Sequence, residues 1–251
     1  MIEQFEQDGL VVVPEVLAPE TVATLRVELE RAMKQDLEQQ GDVFDRGMVH
    51  NCMFRGREMA RLLDNPSLND TIKRLLSPSC ILYAYQSSSA PPSGSNYGQR
   101  IHVDSPRYIP GYVTNIGVIF ALDDFTPQNG ATRYLPGSHL RRELPSESKF
   151  NKQCLMAECN AGDMIVFHAR LAHATGFNAT RHHRHALTMN FCRCFMRQRF
   201  DFCRMPEASE SFLETLGPDA RRLLGLDVRM PTSLEEFYLP EEERLYKPGQ
   251  E

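Results

Sequence analysis

Between residues 80 and 200 the chain is cut into short β-rich runs by clusters of Gly, Pro, Asn and Ser, and this confines the central part to sheets. The runs are 80–86, 113–122, 131–135, 164–167 and a longer one over 186–200. In the last, Leu187, Met189, Phe191 and Phe195 recur at even spacings, as in a barrel wall. Upstream the period changes. Residues 5–14 read as the end of a short helix, a stop at Gly9, and a strand closed by Pro14. Over 19–39, Val22, Leu25, Leu29, Ala32 and Met33 share one helical face, with Pro19 suited to a first turn. Asn65-Pro66 opens another helix to about residue 76. These helices are expected to pack on the outside of a sheet. Segment 48–63 reads as irregular to helical and as part of a substrate surface. Beyond residue 205 short helices are expected over 207–216 and 219–226. Thr232-x-x-Glu235 then resembles a capping box, and a charged segment follows over 240–246.

One of the shorter stretches carries chemistry. In Ile101-His102-Val103-Asp104, a strand conformation sends His102 and Asp104 out of the same face, because side chains alternate with period 2. Imidazole and carboxylate suit Fe(II), and two histidines with one carboxylate leave further positions on the ion open. His-x-Asp alone is a weak signal. Downstream, Gly162-Asp163 feeds an apolar run ending in His168, and His173 lies where strand gives way to loop, positioned to complete a triad. Arg184 follows about one hairpin later. An arginine deep in a barrel needs an anion, and its planar fork suits a carboxylate held at two points. The shaped loop 105–112 makes Arg107 and Tyr108 candidate substrate contacts by proximity. The polar loop 87–98 is expected to act as a mobile lid beside the ligand strand.

Composition narrows the class. A chain of 251 residues with 41% hydrophobic residues is expected to fold as a single domain over 1–251. A net charge of -5 without a long basic block argues against nucleic acid as a partner. The acidic N-terminal segment and the lack of an 18-residue apolar stretch argue against a signal peptide or a membrane span, so a soluble, cytoplasmic protein is expected. Seven cysteines without a regular framework read as free thiols, with Cys192 and Cys194 as packing residues. The substrate is expected to be a small molecule, and monomer and homodimer are equally compatible with the residues.

Four features in order, His102-x-Asp104, the run 129–139 (NGATRYLPGSH), Gly162-Asp163 leading to His173, and Arg184 eleven residues further, span roughly residues 5 to 200. In these the chain resembles the phytanoyl-CoA dioxygenase family of Fe(II)- and 2-oxoglutarate-dependent oxygenases, including its natural-product tailoring branches. The resemblance implies a double-stranded β-helix, a cupin-like jelly roll over about 80–200, braced by N-terminal helices and followed by a helical or irregular tail over 205–251. It implies Fe(II) held by His102, Asp104 and His173, with Arg184 on the distal carboxylate of 2-oxoglutarate. Thr132 matches a threonine that donates to the co-substrate. Gln99 resembles a glutamine used near it, and reads equally well as a strand-edge residue bonded to backbone. The implied reaction consumes O2 and 2-oxoglutarate, releases succinate and CO2, and oxidises an unactivated C–H bond of a small metabolite. Hydroxylation is the expected outcome, with desaturation, epoxidation and cyclisation as alternatives. Related halogenases lack the carboxylate ligand, whereas Asp104 is present. A hydrolytic metal-dependent cupin and a non-catalytic metal-binding jelly roll are the readings outside this class. His139 is not expected to be a ligand, His168 is expected to be structural or to support the ligands from behind, and His182, His183 and His185 are expected to be solvated.

Overall fold

The protein is described from a computed structural model covering residues 1–39, 45, 47–226 and 231–244. The chain begins with α1 (Ile2–Asp8), which ends at Gly9 in the left-handed conformation (φ 81°) and turns into β1 (Leu10–Val13). The amphipathic run becomes α2 (Pro19–Gln39). A five-residue helix α3 (Arg57–Arg61) and α4 (Pro66–Leu75) follow. Helix α4 starts where the sequence placed it: the Asn65 side chain accepts from the Leu68 N–H at 2.9 Å, and Pro66 occupies a position whose missing N–H costs nothing.

The remaining strands are β2 (Ile81–Ser87), β3 (Asn115–Ala121), β4 (Thr132–Tyr134), β5 (Leu155–Ala157), β6 (Met164–His168), β7 (His173–Ala174) and β8 (Ala186–Cys192). They form a five-stranded antiparallel sheet, ordered β1-β6-β3-β8-β2, and a three-stranded antiparallel sheet, ordered β5-β4-β7. Alternation divides the larger sheet into two faces. Val118, Phe120, Val166, Leu187, Met189 and Phe191 point to one side and pack with Leu25, Leu29, Met59, Leu63 and Ile72 of the helical layer. Leu10, Ile119, Ile165 and Phe167 point to the other and meet Ala131 and Ala157 at the smaller sheet. The helices therefore cover one face, and the two sheets enclose the space where side chains other than core can gather.

Several expectations change. Residues 101–104 are not a strand: His102 makes an isolated antiparallel bridge to His173, and Asp104 lies in a bend. Segment 87–98 is not a free lid. Backbone bonds join Ser88 to Ala186, Ala90 to Arg184, Gly94 to Asn178 and Gly98 to Thr175, so it runs beside 175–186 as an irregular extension of β2. Segment 48–63 mostly feeds the core, through Val49, Cys52, Met53, Met59 and Leu63. Strand β8 stops at Cys192, and Phe195 is 63% exposed rather than part of a wall. In the tail, α6 (Glu210–Leu213) and α7 (Pro218–Leu223) are shorter than read, and a third short helix, α8 (Leu234–Phe237), follows. Ser233 caps α8, with Thr232 bonded to Glu236 rather than Glu235. Positions 227–230 and 245–251 of the expected tail lie outside the described residues. No disulfide joins the seven cysteines, all of them among the described residues; Cys192 is buried and Cys194 half-buried. Among the described residues, no helix is long and apolar enough to cross a membrane.

Candidate metal centre

The bridge between His102 and His173 is the frame of the site. Each backbone N–H donates to the other's carbonyl at 3.0 Å, and the two imidazoles face each other with ring centroids 4.2 Å apart. Chain elements 71 residues apart in sequence are thus locked in register at the residues that carry the chemistry. Each ring is also oriented by its own neighbourhood. His102 Nδ1 lies 2.7 Å from the Arg100 carbonyl, and His173 Nδ1 lies 3.0 Å from the Leu171 carbonyl. A carbonyl only accepts, so both Nδ1 atoms carry the proton, and both Nε2 lone pairs are directed at the site. This is how metal-binding histidines are normally held. His173 is buried, and burial pushes its imidazole toward the neutral form, against the pull of Asp104.

Asp104 closes the triangle. Its Oδ1 is 3.6 Å from His102 Nε2 and 3.8 Å from His173 Nε2, and the ligand atoms of the three residues all lie within 4.8 Å of one another. Two neutral nitrogens and one anionic oxygen at these separations fit a divalent first-row metal, with the outward side left for other ligands. Among the described residues this is the one group of three or more His, Cys, Asp or Glu side chains so arranged. Below it, the Phe167 ring sits 4.9 Å from the His173 ring and presses on Gly117, where a Cβ would meet it at 2.1 Å.

Arg184 is 1% exposed, on the stretch leading into β8, and bridges in backbone to Ala90. Its Nη2 donates to the Ser88 carbonyl at 3.0 Å, its guanidinium lies 4.1 Å over the Phe125 ring, and its Nε has no partner. Among the described residues no carboxylate forms an ion pair with it; Asp123, the acid that bears on it, is engaged by Arg26 and His185. Burial pushes the guanidinium down to about 10, which marks a charge lacking a counter-ion. The triad lines a cavity together with Gln86, Ser88, Thr132, Thr188, Ile119, Phe167, Asn96, Tyr97, Gly98 and Thr175, and Arg184 adjoins that lining through the Ser88 carbonyl.

The structure brings His102, Asp104, His173 and Thr132 to one cavity, with Arg184 bonded to the carbonyl of Ser88, which also lines it. Gln99 is not brought there. It ends a 3-10 turn (Tyr97–Gln99), is exposed, and lines a neighbouring hollow with Met33, Met48 and Asp45. Gln86 is the amide that faces the cavity, donating to Tyr97 Oη at 3.1 Å and accepting from Arg199 at 3.0 Å. Arg107 is exposed and lines no part of the cavity. Tyr108 donates its hydroxyl to the Leu140 carbonyl and lies under Arg170, so it packs a surface loop. Proximity in sequence failed for these because the Pro106–Pro110 loop carries them away from the ligands. Thr188 and Asn190 were also missed. Their signal was the even positions of β8, in phase with Arg184 and polar between Leu187, Met189 and Phe191. His139 and His168 stack at 5.0 Å away from the triad, as structural residues. His185 departs from expectation: it is buried and bound to Asp123 at 2.8 Å, while His182 stays exposed.

Comparison with known proteins gives the family and the fold of the chain. An uncharacterized protein of Mycobacterium tuberculosis is 30% identical over 252 residues, covering 96% of this chain and 92% of the relative. The Fe(II)/2-oxoglutarate-dependent dioxygenase nvfF of Aspergillus novofumigatus is 25% identical, covering 89% of this chain and 80% of its own length. Among solved structures, the apo form of the non-heme monooxygenase ThoJ aligns with a TM-score of 0.64 at 23% identity, covering 79% of each chain. The epimerase SnoN in complex with Fe3+, alpha ketoglutarate and nogalamycin RO aligns with a TM-score of 0.62 at 20% identity, covering 76% of this chain and 81% of SnoN. At those identities the likeness is one of fold. The family model for phytanoyl-CoA dioxygenase matches residues 5–186, from the first helix through the triad to the start of β8, and the chain therefore belongs to the phytanoyl-CoA dioxygenase family.

Proposed function

We propose that this chain is an Fe(II)- and 2-oxoglutarate-dependent dioxygenase that hydroxylates an unactivated C–H bond of a small organic metabolite in a biosynthetic pathway. Its two sheets are read as the halves of one double-stranded β-helix domain. One observation supports this above others: the cavity lined by the His-Asp-His triad is also lined by Ser88, whose carbonyl is held by a buried guanidinium without a carboxylate partner among the described residues. A hydrolytic metal site needs the triad but has no use for the guanidinium. Bound iron supplies the oxygen activation that side chains lack, with 2-oxoglutarate and O2 consumed, succinate and CO2 released, and one oxygen atom delivered to the substrate carbon.

The chain's own residues hold and orient. His102, Asp104 and His173 ligate the metal, and the two carbonyl-bound Nδ1–H groups keep the imidazoles turned toward it. Arg184 pairs with the distal carboxylate of the co-substrate, and the Phe125 face beneath it keeps water from competing for that charge. Thr132, buried on β4, donates to a co-substrate carboxylate. The exposed side at Asp104 admits the organic substrate. The dioxygenase names among the fungal relatives favour the dioxygenase reading.

The test is reconstitution with Fe(II), 2-oxoglutarate and O2, following succinate. Wild type should convert 2-oxoglutarate slowly even without its organic substrate. His102→Ala, Asp104→Ala and His173→Ala should abolish conversion and leave the far-UV circular dichroism unchanged. His168→Ala should retain the metal. Conversion by His173→Ala at the wild-type rate would refute that ligand, and a wild type that binds the metal without ever forming succinate would return the hydrolytic reading.

A further inference from the structure

Asp104 has two oxygens, and the structure treats them differently. Oδ1 faces both His Nε2 atoms, at 3.6 and 3.8 Å. Oδ2 is turned to Asn190 on β8, whose Nδ2 donates to it at 3.4 Å. Asn190 Oδ1 in turn accepts from Nδ2 of Asn115, at the start of β3, at 3.1 Å. A carboxylate can only accept, so Asn190 must present its NH2 to Asp104 and its oxygen to Asn115. Asn115 must then present its own NH2. The direction of both amides is set by the one acidic group at the end of the row.

The far end of that row is unsatisfied. Asn115 is 6% exposed, and its Oδ1 is buried without a partner. An amide serving only to knit β3 to β8 would be placed where both of its ends are met, as nearly all buried polar groups are. Here the acceptor is sacrificed and the donor is kept. Strand register accounts for the placement: Asn190 pairs with Gly117, and Asn115 with Cys192, so the two amides lie diagonally on neighbouring strands of the inner face.

We propose that Asn115 and Asn190 form a one-directional amide relay that holds Asp104 as a one-oxygen ligand and so keeps a coordination position of the metal open. The proposal rests on the metal reading above and deepens it. With Oδ2 engaged by Asn190, only Oδ1 is presented to the ion. Once released, Oδ2 is free to swing in as a second ligand atom and take a position needed by co-substrate or O2. Asn115 never touches Asp104; it acts by fixing the rotation of Asn190. Both are positioning residues.

Co(II) is the probe, because its visible d–d bands report coordination number without turnover. Asn190→Leu matches the amide in size, removes the donor and excludes a replacing water. It should weaken Co(II) binding about tenfold, the lower range for loss of a group that orients a ligand. It should also shift the Co(II) bands from their wild-type position and intensity. Asn115→Leu, which leaves every atom next to Asp104 in place, should move the bands the same way by less. Should the leucine variant at 190 fail to fold, Asn190→Ala carries the test with a smaller shift, since water can enter and donate to Oδ2. Unchanged bands in a folded Asn190 variant would overturn the relay even if affinity fell, because a packing defect also lowers affinity. Unchanged bands in folded Asn115→Leu would overturn it as a two-amide device. A wild type that binds no Co(II) at all would instead refute the metal reading on which the relay rests.

Discussion

Arg184 shows how much a single residue can reveal when burial and charge conflict. A guanidinium that is 1% exposed, held by the Ser88 carbonyl and the Phe125 face but with an unpartnered Nε and no carboxylate at ion-pair distance among the described residues, is a charge that an anion would stabilise. Arg184→Ala should therefore raise the 2-oxoglutarate concentration needed for half-maximal binding by hundreds- to thousandfold, from a loss of roughly 3–5 kcal/mol when one member of a buried pair is removed. Arg184→Lys should restore part of it, lacking the two-point fork. A titration unchanged in Arg184→Ala would remove the residue from the co-substrate site. The burial of this arginine next to the cavity was foreshadowed in the sequence by its place just before the apolar alternation of β8. The places of Gln99 and Arg107 were not, since a 3-10 turn and a Pro-containing loop rotate side chains by amounts that no period encodes. His168 supplies a second test. Burial, then the neighbouring His139 and Arg170, push its imidazole down to about 4 from 6.5, while its Nδ1 accepts the Arg170 N–H at 2.9 Å. The unfolded chain takes up that proton first as pH falls, so the stability due to neutral His168 is present above pH 6.5 and lost on descent toward pH 4. Between pH 7.5 and 5 the loss is up to about 2 kcal/mol, less for its partial exposure. Denaturant melts of His168→Gln, whose amide oxygen can still accept from Arg170, should show a flatter pH dependence than wild type over that window. An equal slope would assign the acid sensitivity to other groups.

Among the elements, those with regular periods were located by the sequence, although β8 ends at Cys192 and not at residue 200, and those defined by tertiary contact were not. Helix α2 and strands β3, β6 and β8 each bury a continuous row of apolar side chains, and that row is visible in the sequence as a period. The His102 segment has no such row. Its extended form is imposed by the bridge to His173, and Asp104 reaches the triad from a bend. Likewise 88–98 is polar because its partners are backbone groups of 175–186, and polarity was mistaken for freedom. The larger sheet adds a constraint that periodicity does not show. Gly117, paired with Phe167 in register, leaves room for that ring, which contacts His173 at 4.9 Å. A methyl group there would meet the ring at 2.1 Å, so Gly117→Ala must displace Phe167 and, through it, the imidazole. The expected results are a destabilisation of roughly 1–3 kcal/mol, typical of overpacking, and weaker Co(II) binding. Gly111→Ala is the control. It meets nothing within 4 Å but sits at φ +69°, so it should lower stability by backbone strain alone and leave metal affinity as in wild type. Equal Co(II) affinity in Gly117→Ala and wild type would mean that Phe167 does not support His173.

At the scale of the whole molecule, the site and the main core lie on opposite faces of the same sheet. The large apolar cluster joins the helical layer to the outer face of β1, β2, β3, β6 and β8, whereas the triad belongs to the inner face and the smaller sheet. The frame of the triad is held by hydrogen bonds of the chain itself: the His102–His173 bridge, the two Nδ1–carbonyl bonds and the Asn190–Asp104 contact. Removing the metal should therefore leave the fold intact, unlike a zinc finger, whose folding free energy is its metal-binding free energy. Metal and co-substrate should add stability only by mass action. At a hundredfold excess over the dissociation constant, one ligand contributes about 2.7 kcal/mol, which for a chain of this length raises Tm by roughly 5–10 °C. The same far-UV circular dichroism is expected for apo and loaded protein, with Tm rising stepwise on adding Fe(II) anaerobically and then 2-oxoglutarate. In Arg184→Ala the first step should survive and the second should shrink, because that variant leaves the triad untouched. In His173→Ala both should vanish. Loss of secondary structure on chelation would show instead that the metal holds the two sheets together, and the preformed pocket inferred from the bridge and the ring orientations would be wrong.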